Sequence, residues 1–455
     1  MLISCSDRPS KLPTSKNFNL AAHKGIWRSI GYGYLLEITE LGMVLYDIDK
    51  LNCYKKPISS ANISAQMTFF KSVGNMITIS VSENSTRYNF TKLKGNLFKY
   101  CKINSTSSII NNFDYFTNIM STHYAYFDLY QINWQKQIIE ARAKIHNGTS
   151  KPALFKILSS MLHGLNDAHL SLNAEIDGKS FSFKTGYSKY LRPALDIAFS
   201  LQTKFKSDRK FRRYWFEKHK KNIIGKILSG QNYTSFNDRI MWGKVDNIGY
   251  INIFGMTGFS DNGTLENEIK HAKNAINEIM NRLKSSKAII VDISTNSGGF
   301  DELGLLFASH FTRKQIYAYS KVAVGAEKLT QKIYIKPALD NLYLGEIFLI
   351  TSDHTVSAAE TFTLAMRAIK NVTHIGEITR GAFSDILDKP LPNGWELGLS
   401  NEIYRDVNGI NWEGKGIPPS LILPIFRDKN IFMSHQKAIN KIILMIKKTN
   451  EVIYF

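Results

Sequence analysis

Thr351-Ser352-Asp353-His354-Thr355-Val356-Ser357-Ala358-Ala359-Glu360 is the stretch of this 455-residue chain whose residue types best suit covalent chemistry. An apolar run, Ile347–Ile350, precedes it, and Phe362, Ala365, Met366 and Ile369 follow at helical spacing. These spacings predict a strand, a polar turn and a helix. Ser357 then stands at the helix N-terminus, where free backbone N–H groups and the positive end of the helix dipole gather. A hydroxyl there can attack a carbonyl carbon with N–H donors already placed for the oxyanion. The competing reading is that Ser357 only caps the helix, as most serines before helices do.

A second segment points the same way. The buried-strand pattern Ala288–Ile293 runs into Ser294-Thr295-Asn296-Ser297-Gly298-Gly299, and a helical pattern opens near Asp301. A Gly-Gly pair between strand and helix lets the backbone approach a neighbour closely and adopt positive φ. The loop has the spacing of neither a Walker phosphate loop nor a dinucleotide loop. It fits a plain strand-to-helix turn or an oxyanion-hole donor.

Together these blocks resemble the tail-specific (C-terminal processing) serine peptidases. Val291-Asp292-Ile293 through Gly298-Gly299 and Thr355–Glu360 carry the resemblance. Leu165-Asn166-Asp167-Ala168-His169-Leu170 resembles the family's Asp-x-His block, and Gly376-Glu377-Ile378-Thr379-Arg380-Gly381 its Gly-Glu-x-Thr-x-Gly block. Leu391–Trp395 and Glu413–Pro419 are similar to its C-terminal part, so the likeness covers residues 110–425. The family has two catalytic designs. In the Ser–Lys design a lysine follows the Gly-Glu-x-Thr-x-Gly block, and here Ala382 stands in its place. The tricorn-core design takes a histidine from the Asp-x-His block and a glutamate near the end of the domain, which His169 and Glu413 match. Ala168 stands where that design often has a serine, and Ser420 where the family usually has an aspartate.

The resemblance implies Ser357 as nucleophile, His169 as general base and Glu413 as the carboxylate that orients it. The N–H groups of Ala358 and of Gly298 or Gly299 would hold the oxyanion. The chemistry is coherent, because a serine hydroxyl needs a base and histidine titrates in the right range to take a proton and return it. His163, His354 and His374 compete for the base. No metal or cofactor is expected. The substrate is a polypeptide, with cleavage near C-termini one option. A different class of function also fits the fold: an inactive relative that binds an apolar ligand or a protein partner in the same cleft.

The elements that must position these residues are readable in outline. Residues 1–20 read as a flexible tail, 21–105 as a β-rich accessory module and 106–171 as a helical segment leading to the core. Residues 172–244 read as a basic connecting region with little pattern, 245–425 as the peptidase core and 426–455 as a C-terminal helix. Strands alternating with helices imply an α/β fold with a largely parallel sheet. The resemblance makes this core a crotonase-like αβ spiral. The interval after His169 lacks the carboxylate loop of a PDZ module, so no PDZ domain is expected.

The net charge is +20, and part of it is concentrated: ten Lys/Arg lie between Lys204 and Lys226, against Asp208 and Glu217. Aromatics are interleaved there, but no nucleic-acid motif accompanies them. A solvated basic helix is the first reading and contact with anionic surfaces the second. No apolar run is long enough to span a membrane. Three cysteines, Cys5, Cys53 and Cys101, show no metal-ligand spacing, and Cys53 and Cys101 are candidates to pair. Leu2-Ile3-Ser4-Cys5 resembles the end of a bacterial lipoprotein signal, without the usual charged and apolar regions before it. An exported, periplasmic or lipid-anchored protein is expected, with a cytoplasmic one as the alternative. The oligomeric state is left open.

Overall fold

The computed structural model describes residues 19–49, 52–65, 69–103, 107–229 and 234–451. Cys5 and its lipobox-like surroundings lie outside them. The chain forms two compact units. One comprises the chain up to Gly186 with Lys321–Gln331 and Ser384–Tyr404; the other comprises Tyr187–Ser320, Lys332–Phe383 and the chain from Arg405.

The first unit contains an eight-stranded sheet in the order 69–73, 76–80, 88–93, 25–29, 34–39, 42–48, 52–55, 102–103. Its pairs are antiparallel except the last, between Asn52–Lys55 and Lys102–Ile103. Successive side chains on a strand point to opposite faces. Accordingly Trp27, Leu36, Ile38 and Leu45 join the large core. Ile26, Leu35, Tyr46 and Ile48 join a small core on the other side, with Cys53 and Cys101. These two cysteines form a disulfide with Cα atoms 5.6 Å apart.

Three helices follow, and each begins on a side-chain cap. Ser108 accepts from the Asn111 N–H, Asn133 from Lys136 and Ser150 from Ala153. Each cap satisfies a donor that the first turn would leave unpaired. Phe113, Phe116, Ile119 and Met120 of Ile109–His123, and Leu154, Leu158 and Met161 of Lys151–Met161, face the large core. A four-stranded antiparallel sheet, ordered 179–184, 171–176, 396–400, 386–390, completes the unit.

The second unit is built on a seven-stranded sheet in the order 234–236, 240–245, 248–253, 288–292, 346–351, 372–376, 421–422. The first two pairings are antiparallel and the remaining four parallel. Every residue of Ile248–Ile253 and Ala288–Asp292 is buried, as expected for strands covered on both faces. Asp292 pairs with Asn252 and Ile350, and Thr351 with Gly376, so these strands end together at one edge. The loops that leave this edge carry residues 293–300, 352–357 and 377–383. Open α/β sheets place their sites at the carboxyl ends of the strands. Residues 187–229, which gave little pattern in the sequence, form helices Leu191–Ser200 and Asp208–Asn222 with a further helical turn.

Candidate active site

In the second unit, strand Glu346–Thr351 runs through residues 352–357 into helix Ala358–Arg367. Ser357 occupies the N-cap position, yet its side chain makes no capping hydrogen bond. Its backbone sits at φ 62°, ψ −130°, a region that a residue with a side chain enters only under strain of about 1–3 kcal/mol. The surroundings hold it there. The Ser357 N–H donates to the Ala382 carbonyl at 3.0 Å, and the Ser357 carbonyl accepts from Glu360 at 2.7 Å and Thr361 at 3.2 Å. The capping role therefore does not explain this serine, and among the described residues no hydrogen-bond partner is seen for its hydroxyl.

The Gly-Gly loop lies directly against it. A Cβ on Gly298, at φ +88°, would stand 2.6 Å from the Ser357 Cβ and 3.1 Å from the Ala358 nitrogen. A Cβ on Gly299 would stand 2.2 Å from the Met256 carbonyl oxygen. Both positions require glycine. Asn296 organises the loop: its side chain accepts the Gly298 N–H at 2.9 Å and donates to the Ile253 carbonyl at 3.0 Å, while its carbonyl accepts from Val356 at 3.3 Å. The Gly298 N–H is thus already donated. Among the described residues, no acceptor meets the N–H of Gly299 or of Ala358.

Glu360, three residues after the serine, is a further part of the arrangement. Its buried carboxylate accepts the Gly381 N–H at 2.7 Å and the Ala382 N–H at 2.8 Å. It therefore fixes the N–H side of Ala382, the residue whose carbonyl holds the Ser357 N–H. Burial pushes its pKa up to about 7, opposed by hydrogen bonds from Thr379, Ala382 and Gly381 and by the charge of Arg380. Glu413 is also buried and accepts the Phe383 N–H at 2.9 Å. Segment 381–383 thus receives Glu360 on one residue pair and Glu413 on the next. Asp353, in the turn before the serine, accepts the N–H groups of Tyr190 at 2.5 Å and Leu191 at 3.5 Å at the start of helix Leu191–Ser200. Sequence reasoning missed the roles of Asn296 and Glu360. Glu360 lay inside the serine block, but nothing local shows that its partners are residues 381 and 382.

His169 belongs to the first unit, between helix Lys151–Met161 and strand Ser171–Ile176. Its backbone N–H donates to Asp167 Oδ1 at 2.8 Å. Asp167 is held in turn by the hydroxyls of Tyr124 and Ser400, both at 3.1 Å, while its carbonyl accepts from Thr185 at 2.6 Å. The ring is buried, and among the described residues its Nδ1 has no hydrogen-bond partner. Burial holds the imidazole below its ordinary pKa, opposed by the charges of Asp167 and Asp385. The ring is therefore neutral near pH 7 and keeps a basic nitrogen.

The competing histidines are accounted for locally. His374 is buried and bonded to the Thr351 hydroxyl at 2.7 Å, and burial pushes its pKa down to about 3. Burial, with the Arg380 charge, lowers His354 to about 4. His163 is exposed and bonded to the Ser160 carbonyl. Among the described residues, no group of His, Cys, Asp and Glu side chains is arranged to hold a metal ion. The structure thus brings Ser357, Gly298, Gly299, Ala358 and Glu413 into one unit and places His169 in the other.

Residues 247–423 match the model of peptidase family S41. Solved structures share the fold. A candidate peptidase from Parabacteroides merdae aligns with a TM-score of 0.59 at 22% identity, over 75% of this chain and 97% of its own. Mature CPAF complexed with lactacystin aligns with a TM-score of 0.51 at 11% identity, over 75% of this chain and 98% of its own.

Proposed function

We propose that Ser357 is the nucleophile and His169 its general base in this chain, whose residues 247–423 match the serine-type peptidase family S41. The observation that carries this is the backbone of Ser357: strained, fixed by neighbouring peptides, and with a hydroxyl released from capping. Strain at such a position persists only where the surrounding structure over-determines it, and it concentrates at active sites. His169 is supported by its basic Nδ1 and its depressed pKa, which keep it able to take a proton.

The reaction follows from these parts. Ser357 Oγ attacks the scissile carbonyl carbon as its proton passes to His169. The C–N bond of the tetrahedral intermediate breaks, and the proton returns to the leaving amine. Water then attacks the acyl-enzyme by the same route and releases the new carboxylate. The oxyanion is received by the N–H groups of Ala358 and Gly299. Gly298 is a less suitable donor than its sequence position implied, because its N–H is donated to Asn296. Glu413 holds segment 381–383 through the Phe383 N–H, and in this proposal it is the carboxylate that orients His169.

The finer architecture is part of the same proposal: a crotonase-like αβ spiral for the core, no PDZ module, and polypeptide substrates, with cleavage near C-termini one option. Export is supported by the Cys53–Cys101 disulfide, since such bonds persist in oxidising compartments. Lipidation at Cys5 would add an anchor. No helix of the described residues is long and apolar enough to cross a membrane. The test is hydrolysis of an unfolded polypeptide by wild type, Ser357→Ala and His169→Ala. Loss of turnover in both, with thermal melts close to wild type, supports the assignment; turnover by Ser357→Ala above about one part in a hundred contradicts it.

A further inference from the structure

The second unit carries a surface that the peptidase chemistry does not use. On helix Asp208–Asn222, Phe211 and Trp215 are buried in the unit's core. Tyr214 packs against Phe205 and Phe432, and Phe216 against Phe254. The aromatics interleaved among the basic residues are thus consumed by packing, and stacking on nucleic-acid bases is not what they serve. The opposite side of the helix region exposes Lys206, Arg209, Lys210, Arg213, Lys218 and Lys221. The nearby acids are already matched: Asp208 pairs with Arg212 at 2.8 Å, Asp196 with Arg192 at 3.0 Å, and Glu217 with Lys220 at 2.9 Å. The exposed cations form an uncompensated positive field.

The preceding helix, Leu191–Ser200, is tied to this one through Arg192–Asp208 at 3.5 Å and Arg212–Asp196 at 3.8 Å. The helix and its C-cap residue present two large apolar side chains one turn apart, Ile197 at 60% and Leu201 at 81% exposure. Lys204 and Lys206 follow immediately. Apolar knobs beside clustered Lys and Arg are the composition of a surface that lies on anionic lipid. The cations meet headgroup phosphates, and the knobs enter the acyl boundary.

We propose that helices Leu191–Ser200 and Asp208–Asn222 form a docking surface for anionic membrane. The first of these helices starts on Asp353, four residues before Ser357. Docking would therefore hold the nucleophile's own unit at the lipid surface. Attachment by this route is independent of Cys5.

The full chain is mixed with vesicles of phosphatidylcholine alone and of phosphatidylcholine with phosphatidylglycerol, and the bound fraction is read by co-sedimentation over a salt series. Binding is expected only with phosphatidylglycerol, and it weakens as salt rises. The triple variant Arg209→Glu, Lys210→Glu, Arg213→Glu should lose affinity on the order of a hundred-fold or more, since each cation near an anionic surface contributes about a fivefold factor. The pair Ile197→Ser, Leu201→Ser, at exposed positions that do not support the fold, should lose roughly tenfold. Both should hydrolyse a soluble peptide at the wild-type rate. Equal binding to both vesicle types, or wild-type affinity in the two variants, overturns the proposal. So does full displacement by polyglutamate with no effect of the Ile197 and Leu201 changes, which would make the surface a receptor for acidic polypeptide. If the triple variant does not fold, the apolar pair and the salt series still decide.

Discussion

The surroundings of Ser357 and of His169 are built on different principles. Ser357 is held by backbone: the Ala382 carbonyl on its N–H, the helix turn on its carbonyl, and two glycines that leave no space for a side chain. His169 is held by side chains: Asp167 takes its N–H, and Tyr124 and Ser400 fix Asp167. A backbone cradle tolerates almost no added atom. A side-chain network loses its members one hydrogen bond at a time. Substitutions around Ser357 should therefore fail abruptly and those around His169 gradually.

The sharpest way to break this contrast is Gly298→Ala. The added methyl meets the Ser357 Cβ at 2.6 Å and forces a strained φ of +88°. A shift of about 1 Å at a reacting group costs on the order of a hundred-fold, so kcat/KM should fall at least that far. An active Gly298→Ala would show that the cradle is not tight.

Asp167→Asn probes the other side. The amide keeps the geometry but removes a charge that raises the His169 pKa. The acidic limb of kcat/KM against pH should move to lower pH, and kcat should fall roughly tenfold to a hundred-fold. A limb that stays in place would mean that another group governs it.

Glu360→Gln tests the buried carboxylate on stability. Its folded pKa, about 7, lies above the unfolded value of 4.5. The native state therefore binds more protons than the unfolded state between these values, and stability falls as pH rises through this window. The loss is about 3 kcal/mol at most. Urea unfolding at the two ends of the window should show this slope in wild type and its absence in Glu360→Gln.

Ser357→Gly gives the smallest effect on stability and the most pointed one. Removing the side chain relieves a positive-φ residue, so stability should rise by about 1 kcal/mol while activity disappears. The matching change His169→Ala should bring no such gain, because nothing comparable is strained there. A destabilised Ser357→Gly would mean that φ 62° is not costly in this setting.

Much of the second unit was legible in the sequence. The apolar runs at 288–293 and 347–350 are strands because both their faces are covered, and the stripe through Ile269, Ile276 and Leu283 is one face of helix Leu265–Leu283. The first unit was less so, because its second sheet pairs Glu396 with Asn173 and its chain returns from three separate segments. Strand Lys179–Lys184 alternates Phe181 and Phe183 with Ser180 and Ser182, but it is short and mostly exposed. The cysteine pair was one candidate among three cysteines, and only the sheet brings Cys53 and Cys101 together. Within the site, residue type and spacing pointed to the serine, the glycines and the histidine. They did not convey the positive φ of Ser357, or that the Gly298 N–H belongs to Asn296, because backbone angles and hydrogen-bond commitments are set by tertiary contacts.

The central claim is that Ser357 is a nucleophile activated by His169. Its most direct measurement is the rate of labelling by a fluorophosphonate probe, read by intact mass, for wild type, Ser357→Ala and His169→Ala. The expected result is one label on wild type, none on Ser357→Ala, and labelling of His169→Ala slowed by at least about a hundred-fold with the fold intact. A label that persists on Ser357→Ala, or a wild-type rate in His169→Ala, would contradict the account.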